Sequence, residues 1–272
     1  MKFKSIFILF NITMLFFFAA IILLPYFMLS PSFLVSFWRI NWILILVMTL
    51  FFFGFYSFYF INRGLFLLLE REDWPALVCY LEERVIRKGR YSNRLVRLLA
   101  NTYIVLSDSE AVISLESNVA MVNPALLDTN ALIFGTARIL GKDITGAIRF
   151  FETRKNTVKS ELREWVHWYH GFALLLNSQF EEAAVEFALL AQVSKDGVIT
   201  ALSSFFLSEA IALVVPEKEK ELKEISSAGR ESVLKALPFA KDWDREVSRL
   251  STEIHAAAIS KYLGKTGIWL YS

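Results

Sequence analysis

The chain has 272 residues, of which 55% are hydrophobic, with 29 basic and 27 acidic side chains and a mean hydropathy of +0.45. That apolar composition is unusual for a globular protein and indicates membrane-spanning segments. Residues 1–69 hold no acid and four bases, so subtracting four from 29 leaves 25 bases against 27 acids, or −2, in residues 70–272. This near-neutral part offers no basic surface for nucleic acid. The one cysteine excludes an intrachain disulfide and a multi-cysteine metal site.

Two uncharged runs at the N-terminus predict a hairpin of transmembrane helices. The first covers residues 6–29 and the second residues 40–61, and each meets the roughly 20 residues that a helix needs to cross the hydrocarbon core. Trp and Tyr residues near the ends of the second run suit the membrane interface. We therefore predict a transmembrane hairpin over residues 1–62, with membrane lipid as its surroundings. A cleaved signal peptide is the alternative, but the first run is longer than a signal core and has no clear cleavage site.

The basic residues predict the orientation of this hairpin. Lys2 and Lys4 precede the first span, a cluster of arginines and Lys88 follows the second, and only Arg39 lies between the spans. Positively charged flanks stay on the cytoplasmic side. We therefore expect a multi-pass protein of the bacterial inner membrane, with residues 63–272 in the cytoplasm. A periplasmic position for that part is the alternative.

Residues 63–272 are predicted to be all-α. Apolar residues recur three and four positions apart, as at Leu95, Leu98 and Leu99, and no strand-like alternation persists. Short breaks rich in Ser, Asp, Asn and Gly separate the periodic stretches, as helix caps and turns require. The last long helix is expected over residues 242–263, with Gly264 as its C-cap.

An internal repeat is the most informative pattern in this part. Its two copies share a small residue, an aromatic or aliphatic helix start, an alanine and an aromatic. The positions are Gly135, Ile144, Ala147 and Phe151, then Gly171, Phe180, Ala183 and Phe187, every pair 36 residues apart. This pattern resembles the tetratricopeptide repeat (TPR), a helical hairpin with a period of 34 residues. It departs from that family in having His167 at the usual first-helix Trp position and in lacking the closing proline.

The resemblance implies a TPR-like α-solenoid of helical hairpins, since a single hairpin cannot bury its apolar face alone. It also implies a concave groove, lined by the first helix of each pair, where other proteins bind. The groove positions of successive repeats would be Arg94, Arg97 and Asn101, then Leu132 and Thr136, then Trp168 and Phe172. Such a groove is polar near the membrane and aromatic farther along. The alternative is that the aromatic wall is covered by the chain's own tail, residues 268–271.

Three constellations that resemble reactive sites are better explained structurally. Glu164 and His167 have the Glu-x-x-His spacing of di-iron helices, with His170 one turn on, but no second copy exists. The Gly264-Lys265-Thr266 sequence lacks the earlier glycine of a phosphate-binding loop. Cys79 is expected to be a small core residue. We therefore predict no catalytic residue, no cofactor and no metal.

These features together predict a non-enzymatic, membrane-anchored scaffold that helps to assemble a bacterial envelope, secretion or motility complex. A subunit that self-assembles into a ring or collar, and hence a homo-oligomer, is the alternative. A membrane enzyme or transporter subunit is disfavoured because neither span holds an ionisable residue, which an intramembrane site usually has.

Overall fold

The computed structural model describes residues 3–28 and 37–272, with side chains at residues 8–21, at residue 23 and from residue 37 onward. All regular elements in these ranges are helical, which confirms the predicted all-α class. The helices are α1 (Phe3–Met28), α2 (Trp42–Arg71), α3 (Trp74–Glu82), α4 (Asn93–Val105), α5 (Ser109–Val122), α6 (Ala125–Thr129), α7 (Ala131–Leu140), α8 (Ile144–Arg154), α9 (Ser160–Leu176), α10 (Phe180–Val193), α11 (Gly197–Phe206), α12 (Glu219–Ala236), α13 (Ala240–Leu250) and α14 (Ser260–Tyr271).

Shorter helical turns connect some of these elements. One π-helical turn over Glu83–Arg87 follows α3, and another over Leu207–Ile211 prolongs α11. Short 3-10 helices occupy Pro216–Lys218 and Ile254–Ile259. The chain divides into two compact units, residues 1–80 and residues 81–272.

In the first unit, α1 and α2 meet through aromatic side chains, with ring centroids 4.7 Å apart for Phe10 and Phe55 and 5.5 Å apart for Phe18 and Phe52. Helix α2 is long and apolar enough to cross a membrane by length and composition, whereas the tested part of α1, Ile8–Ile21, is a shorter apolar stretch. Most of the stretch between the two predicted spans, residues 29–36, lies outside the described residues.

Helix α2 does not end where the second span was predicted to end. It continues past residue 61, through the expected domain boundary at residue 62, and stops at Arg71. The helix ends at Arg71 because the next residue, Glu72, has a left-handed backbone conformation with φ of 54°, which terminates an α-helix. The apolar helix α2 therefore extends about ten residues into the part of the chain that was assigned to the repeats.

Cys79 is exposed, so the prediction that it is a small core residue is wrong. Its helix α3 buries Leu77 and Leu81 completely. These two residues are four apart and share one face, whereas Cys79 lies between them in sequence and therefore points to the other side.

The same left-handed turn recurs at regular intervals along the chain. Its central residues are Glu72, Ser107, Lys142 and Ser178, with φ between 54° and 62°, at spacings of 35, 35 and 36 residues. After each, the next amide N–H donates to a carbonyl five residues back; the pairs are Asp73 to Leu68, Asp108 to Tyr103, Asp143 to Arg138 and Gln179 to Leu174, at 2.9–3.2 Å. This is the Schellman pattern that ends a helix. The hairpins α2/α3, α4/α5, α7/α8 and α9/α10 therefore share one turn geometry.

The glycines of the predicted repeat lie where two helices of a hairpin approach most closely. A Cβ atom added at Gly135 would overlap the ring of Phe151, and one at Gly171 would lie 3.2 Å from Cε1 of Phe187. Ala147 and Ala183 are fully or almost fully buried on the partner helices. The expected pairing of small residue and aromatic is confirmed in these two hairpins.

The end of the chain differs from the prediction of one long helix over residues 242–263. Helix α13 ends at Leu250, the 3-10 turn follows, and α14 runs through Gly264, which is therefore not a C-cap. The cause is apolar patterning beyond that glycine, since Leu263, Thr266 and Leu270 are all buried on one face of α14. The 3-10 turn likewise buries His255, Ala256 and Ile259. We call the stretch from residue 251 to residue 259 the closing segment.

Candidate binding groove

The aromatic residues predicted to line an open groove are inside the protein. Trp168 is 0% exposed and Phe172 is 2% exposed. The two rings stack at 5.3 Å, and Phe206 of α11 and Tyr262 of α14 lie against Phe172 at 5.7 and 5.4 Å. The aromatic wall is therefore covered by the chain itself, which was the alternative interpretation, although the cover is α11 and Tyr262 of α14, which precedes the expected residues 268–271.

The middle pair of predicted groove residues is also mostly buried. Thr136 is 0% exposed and its hydroxyl donates to the carbonyl of Leu132 one turn earlier, so it is satisfied within its own helix. Leu132 is 7% exposed and borders a cavity.

The polar residues of α4 occupy three different environments. Arg94 is exposed, and Asn101 is half-buried with a side-chain oxygen that lacks a hydrogen-bond partner. Arg97 points toward the closing segment, where its guanidinium lies 2.9 Å from the carboxylate of Glu253. The structure thus brings Arg97 and Leu132 to one cavity and leaves the other five predicted residues outside its lining.

That cavity has a volume of about 420 Å³ and lies among α4, α7, α9 and α11, with α13 and the closing segment as its remaining walls. A second cavity of about 490 Å³ adjoins it and shares Trp165, Asp196, Val198 and two residues of α13 with it. Because of this shared lining, the two form one groove, which we call the groove below. The first helices of successive hairpins supply its floor, as the repeat pattern predicts.

His255 anchors the closing segment in the groove as a neutral side chain. It is 6% exposed, its Nδ1 lies 3.0 Å from the Tyr169 hydroxyl, and that hydroxyl lies 2.8 Å from the backbone carbonyl of His255. The hydroxyl has one proton, which goes to the carbonyl, so Nδ1–H of His255 must donate to the hydroxyl oxygen. Burial first, and then the charge of Arg97, lower the pKa of His255 to about 4. Its Nε2 is therefore a bare acceptor near neutral pH.

The histidines with di-iron spacing belong to a buried ionic cluster instead. Glu186 of α10 accepts hydrogen bonds from His167, His170 and Lys155, each at 2.8–2.9 Å. The other ring nitrogen of His170 lies 2.9 Å from the carboxylate of Glu152. Burial opposes the ionisation of Glu186, but the three donors outweigh it and hold its pKa well below the usual range.

Glu164, the first residue of the Glu-x-x-His pattern, takes no part in this cluster. Its carboxylate accepts a hydrogen bond of 2.6 Å from the Ser194 hydroxyl. Among the described residues, no group of three or more His, Cys, Asp or Glu side chains could hold a metal ion. Sequence reasoning missed Glu186 because it lies on the following helix, 16 residues after His170, and had no pattern of its own.

Comparison with known proteins gives a family but no activity. The family model described as "Uncharacterised Treponema protein" matches residues 111–272, more than half of the chain. An uncharacterized protein of Treponema pallidum (strain Nichols) is 35% identical over 157 residues, which cover 58% of this chain and 49% of that protein. The chain thus spans about half the length of this relative. No solved structure matches this chain.

Proposed function

The chain belongs to the family described as Uncharacterised Treponema protein, and we propose that it is a membrane-anchored scaffold that binds another protein through its groove. In this proposal α1 and α2 are two transmembrane helices, the hairpins form a TPR-like array, and the scaffold helps to assemble or stabilise a bacterial membrane-associated complex. The single observation that supports it best is the groove itself, which the first helices of successive hairpins line.

The anchoring part of the proposal is supported by exposed apolar surface. Large side chains of α1 and α2, such as Phe16, Phe51 and Phe53, are 57–72% exposed. A surface of this kind is costly in water and favourable in lipid. The excess of basic residues outside the loop between the helices supports a cytoplasmic array in the bacterial inner membrane.

The binding part is supported by the repeated turn and by the composition of the groove. Four hairpins that end their first helix in the same way, 35 or 36 residues apart, are what a tandem array requires. The groove combines apolar side chains, such as Leu132, Leu162 and Val198, with polar and charged ones, such as Asn130 and Asp196, so it offers both apolar contacts and hydrogen bonds to a partner. No step of the proposal requires catalysis.

The proposal is tested by extracting the tagged full-length protein from its native membrane in a mild detergent and identifying what co-purifies. We expect one complex in stoichiometric amount, and its loss in the Arg97→Glu variant, because the new charge repels Glu253 and alters the groove. Arg94→Glu is the matched control, since Arg94 is exposed on the same helix outside the groove.

A lone homo-oligomer would contradict the scaffold and support the self-assembling alternative. In that case the outer face of α10 would be the candidate contact between copies of the chain. Val185, Leu189 and Val193, spaced four residues apart, are 49–66% exposed there and form an apolar stripe.

A further inference from the structure

The connections that join one hairpin to the next lie side by side in the second unit. Three side-chain hydrogen bonds of 2.6–3.0 Å link neighbouring connections or the helix starts beside them; they run from Asn130 to Asn93, from Thr157 to Asp128 and from Ser194 to Glu164. The last two connections meet where a Cβ atom at Gly197 would lie 3.6 Å from Leu237. We call this continuous surface the loop edge and define it as each connection with the four adjoining residues of either helix, residues 84–96, 119–134, 151–163, 190–200 and 233–243.

The loop edge is strongly basic. Because short connections make consecutive helices antiparallel, the hairpin turns lie at the opposite ends of the same helices. We call these ends the turn edge, residues 102–112, 137–147, 173–183 and 208–222. In these described ranges the loop edge exposes nine basic and two acidic side chains, whereas the turn edge exposes three basic and seven acidic ones. The near-neutral total charge of residues 70–272 therefore conceals a separation of charge along the hairpins.

The loop edge also exposes large apolar side chains between its bases. Met121, Val193 and Phe239 lie at three different connections and are 76%, 65% and 70% exposed. Leu213 of the turn edge is 70% exposed as well, so the combination of apolar groups with positive charge is what distinguishes the loop edge. Surfaces that bind lipid peripherally have this combination, since apolar groups enter the acyl boundary while cations meet anionic headgroups.

The second unit also begins close to the predicted second span. Within the first unit, α3 returns along α2, because a Cβ atom at Gly64 would lie 3.3 Å from the ring of Tyr80. Gly64 comes three residues after the predicted end of the span at residue 61, and Tyr80 is the last residue of the first unit. Arg87, an exposed base of the loop edge, follows seven residues later. In the proposed anchor, only a short stretch of chain therefore separates the basic surface from the bilayer.

We propose that the loop edge lies on an anionic lipid surface, with its bases at the headgroups and with Met121, Val193 and Phe239 entering the acyl boundary. This inference rests on the proposed function, since it takes from it the anchor and the cytoplasmic side, where the leaflet carries anionic lipids. It adds a second membrane contact, made by the repeat hairpins themselves. Exposed aliphatic side chains such as Met121 and Val193 favour lipid over nucleic acid, which would need the bases alone.

The test measures the accessibility of nitroxide labels in the full-length protein reconstituted in nanodiscs. Cys79 is the one cysteine and is exposed, so Cys79→Ser gives the background for Met121→Cys and Val193→Cys. Discs of neutral phosphatidylcholine are compared with discs that contain about 30% anionic phosphatidylglycerol. We expect the anionic lipid to lower the collision of both labels with a neutral water-soluble nickel chelate about threefold or more. Leu213→Cys is the matched control on the turn edge and should not respond.

The electrostatic part of the contact is tested by salt and by charge reversal. About 0.5 M salt should restore the accessibility of both labels, because it screens exposed charges. Lys88→Glu combined with Arg90→Glu should reverse at least half of the protection in anionic discs. Lys218→Glu combined with Lys220→Glu makes the same change of charge on the turn edge and should leave the protection intact.

Three results would overturn the inference. The first is equal accessibility of the Met121→Cys and Val193→Cys labels in neutral and anionic discs, and the second is an equal response of the Leu213→Cys label. The third is protection by a single-stranded oligonucleotide but not by anionic lipid, which would assign the edge to nucleic acid. Co-purification of one complex together with labels that are indifferent to lipid would remove this inference and leave the scaffold standing. Protected labels without any co-purifying protein would support the lipid contact and remove the scaffold.

Discussion

Replacing Gly135 by alanine is expected to lower the free energy of unfolding of the 81–272 unit by about 3 kcal/mol, the upper end of the usual cost of overpacking. The added methyl group would overlap the ring of Phe151. That ring cannot move aside easily, because it is fully buried and stacks on Tyr169 at 5.8 Å with an angle of 13° between the planes. Helix propensity alone predicts the opposite sign, a gain of about 1 kcal/mol, so the sign of the change is diagnostic.

Two other glycines make this a graded series. Gly171→Ala should cost less, since its Cβ would lie 3.1–3.2 Å from its neighbours, and Gly264→Ala should be stabilising by about 0.5–1 kcal/mol, since nothing lies within 4 Å of it in helix α14. Denaturant unfolding of the detergent-solubilised full chain, followed by tryptophan fluorescence, measures all three. If Gly135→Ala were as stable as Gly264→Ala, the close packing of α7 on α8 would be wrong.

The second large effect is expected from Glu186→Ala, which should lower the free energy of unfolding by about 3 kcal/mol or more. The carboxylate is the shared acceptor of His167, His170 and Lys155. Its removal leaves Lys155, whose side chain is 16% exposed, and two histidines without that partner. Lys155 and His170 keep contacts of 2.9 Å with Glu152, whose side chain is 56% exposed, but the loss of the more buried of their two anions still costs more than the intact pair contributes.

The same variant should alter the acid response of the protein. The folded-state pKa of Glu186 is depressed, so its contribution is fully present above its unfolded value of about 4.5 and is lost as the pH falls below that value. The wild type should therefore lose stability below pH 4.5 more steeply than Glu186→Ala, as measured by denaturant unfolding at pH 7, 5, 4 and 3.5. Glu181→Ala, an exposed residue of the same helix, is the control and should change stability by no more than about 0.5 kcal/mol. Equal stability of Glu186→Ala and Glu181→Ala at pH 7 would refute the buried cluster.

The helical class and the core of the repeat could be predicted because they depend on local pattern. Gly135 and Gly171 are recognisable since only a small residue allows the approach of a ring from the next helix. The turns have the same period, yet their central residues are of three different types; they are Glu72, Ser107, Lys142 and Ser178. Their common feature is backbone conformation, which composition does not reveal.

The errors come from contacts between residues far apart in sequence. Trp168 fits an open groove by its repeat position, but Phe206 of α11 packs against it, and Tyr262 of α14, nearly a hundred residues away, packs against Phe206 in turn. Tyr169, the hydrogen-bond partner of His255, lies 86 residues from it, and Arg97 lies 156 residues from its partner Glu253. No periodicity in the sequence encodes the packing of the closing segment into the groove.

The central claim, that a protein binds in the groove, is tested most directly by site-specific photo-crosslinking in cells. Leu162 is a residue of α9 that lines the groove. A benzophenone side chain at this position should give an adduct with one protein. The same side chain at Glu181, exposed on α10, should give none with that protein. Equal adducts from both positions, or none from Leu162 while the variant remains folded in the membrane, would contradict the account.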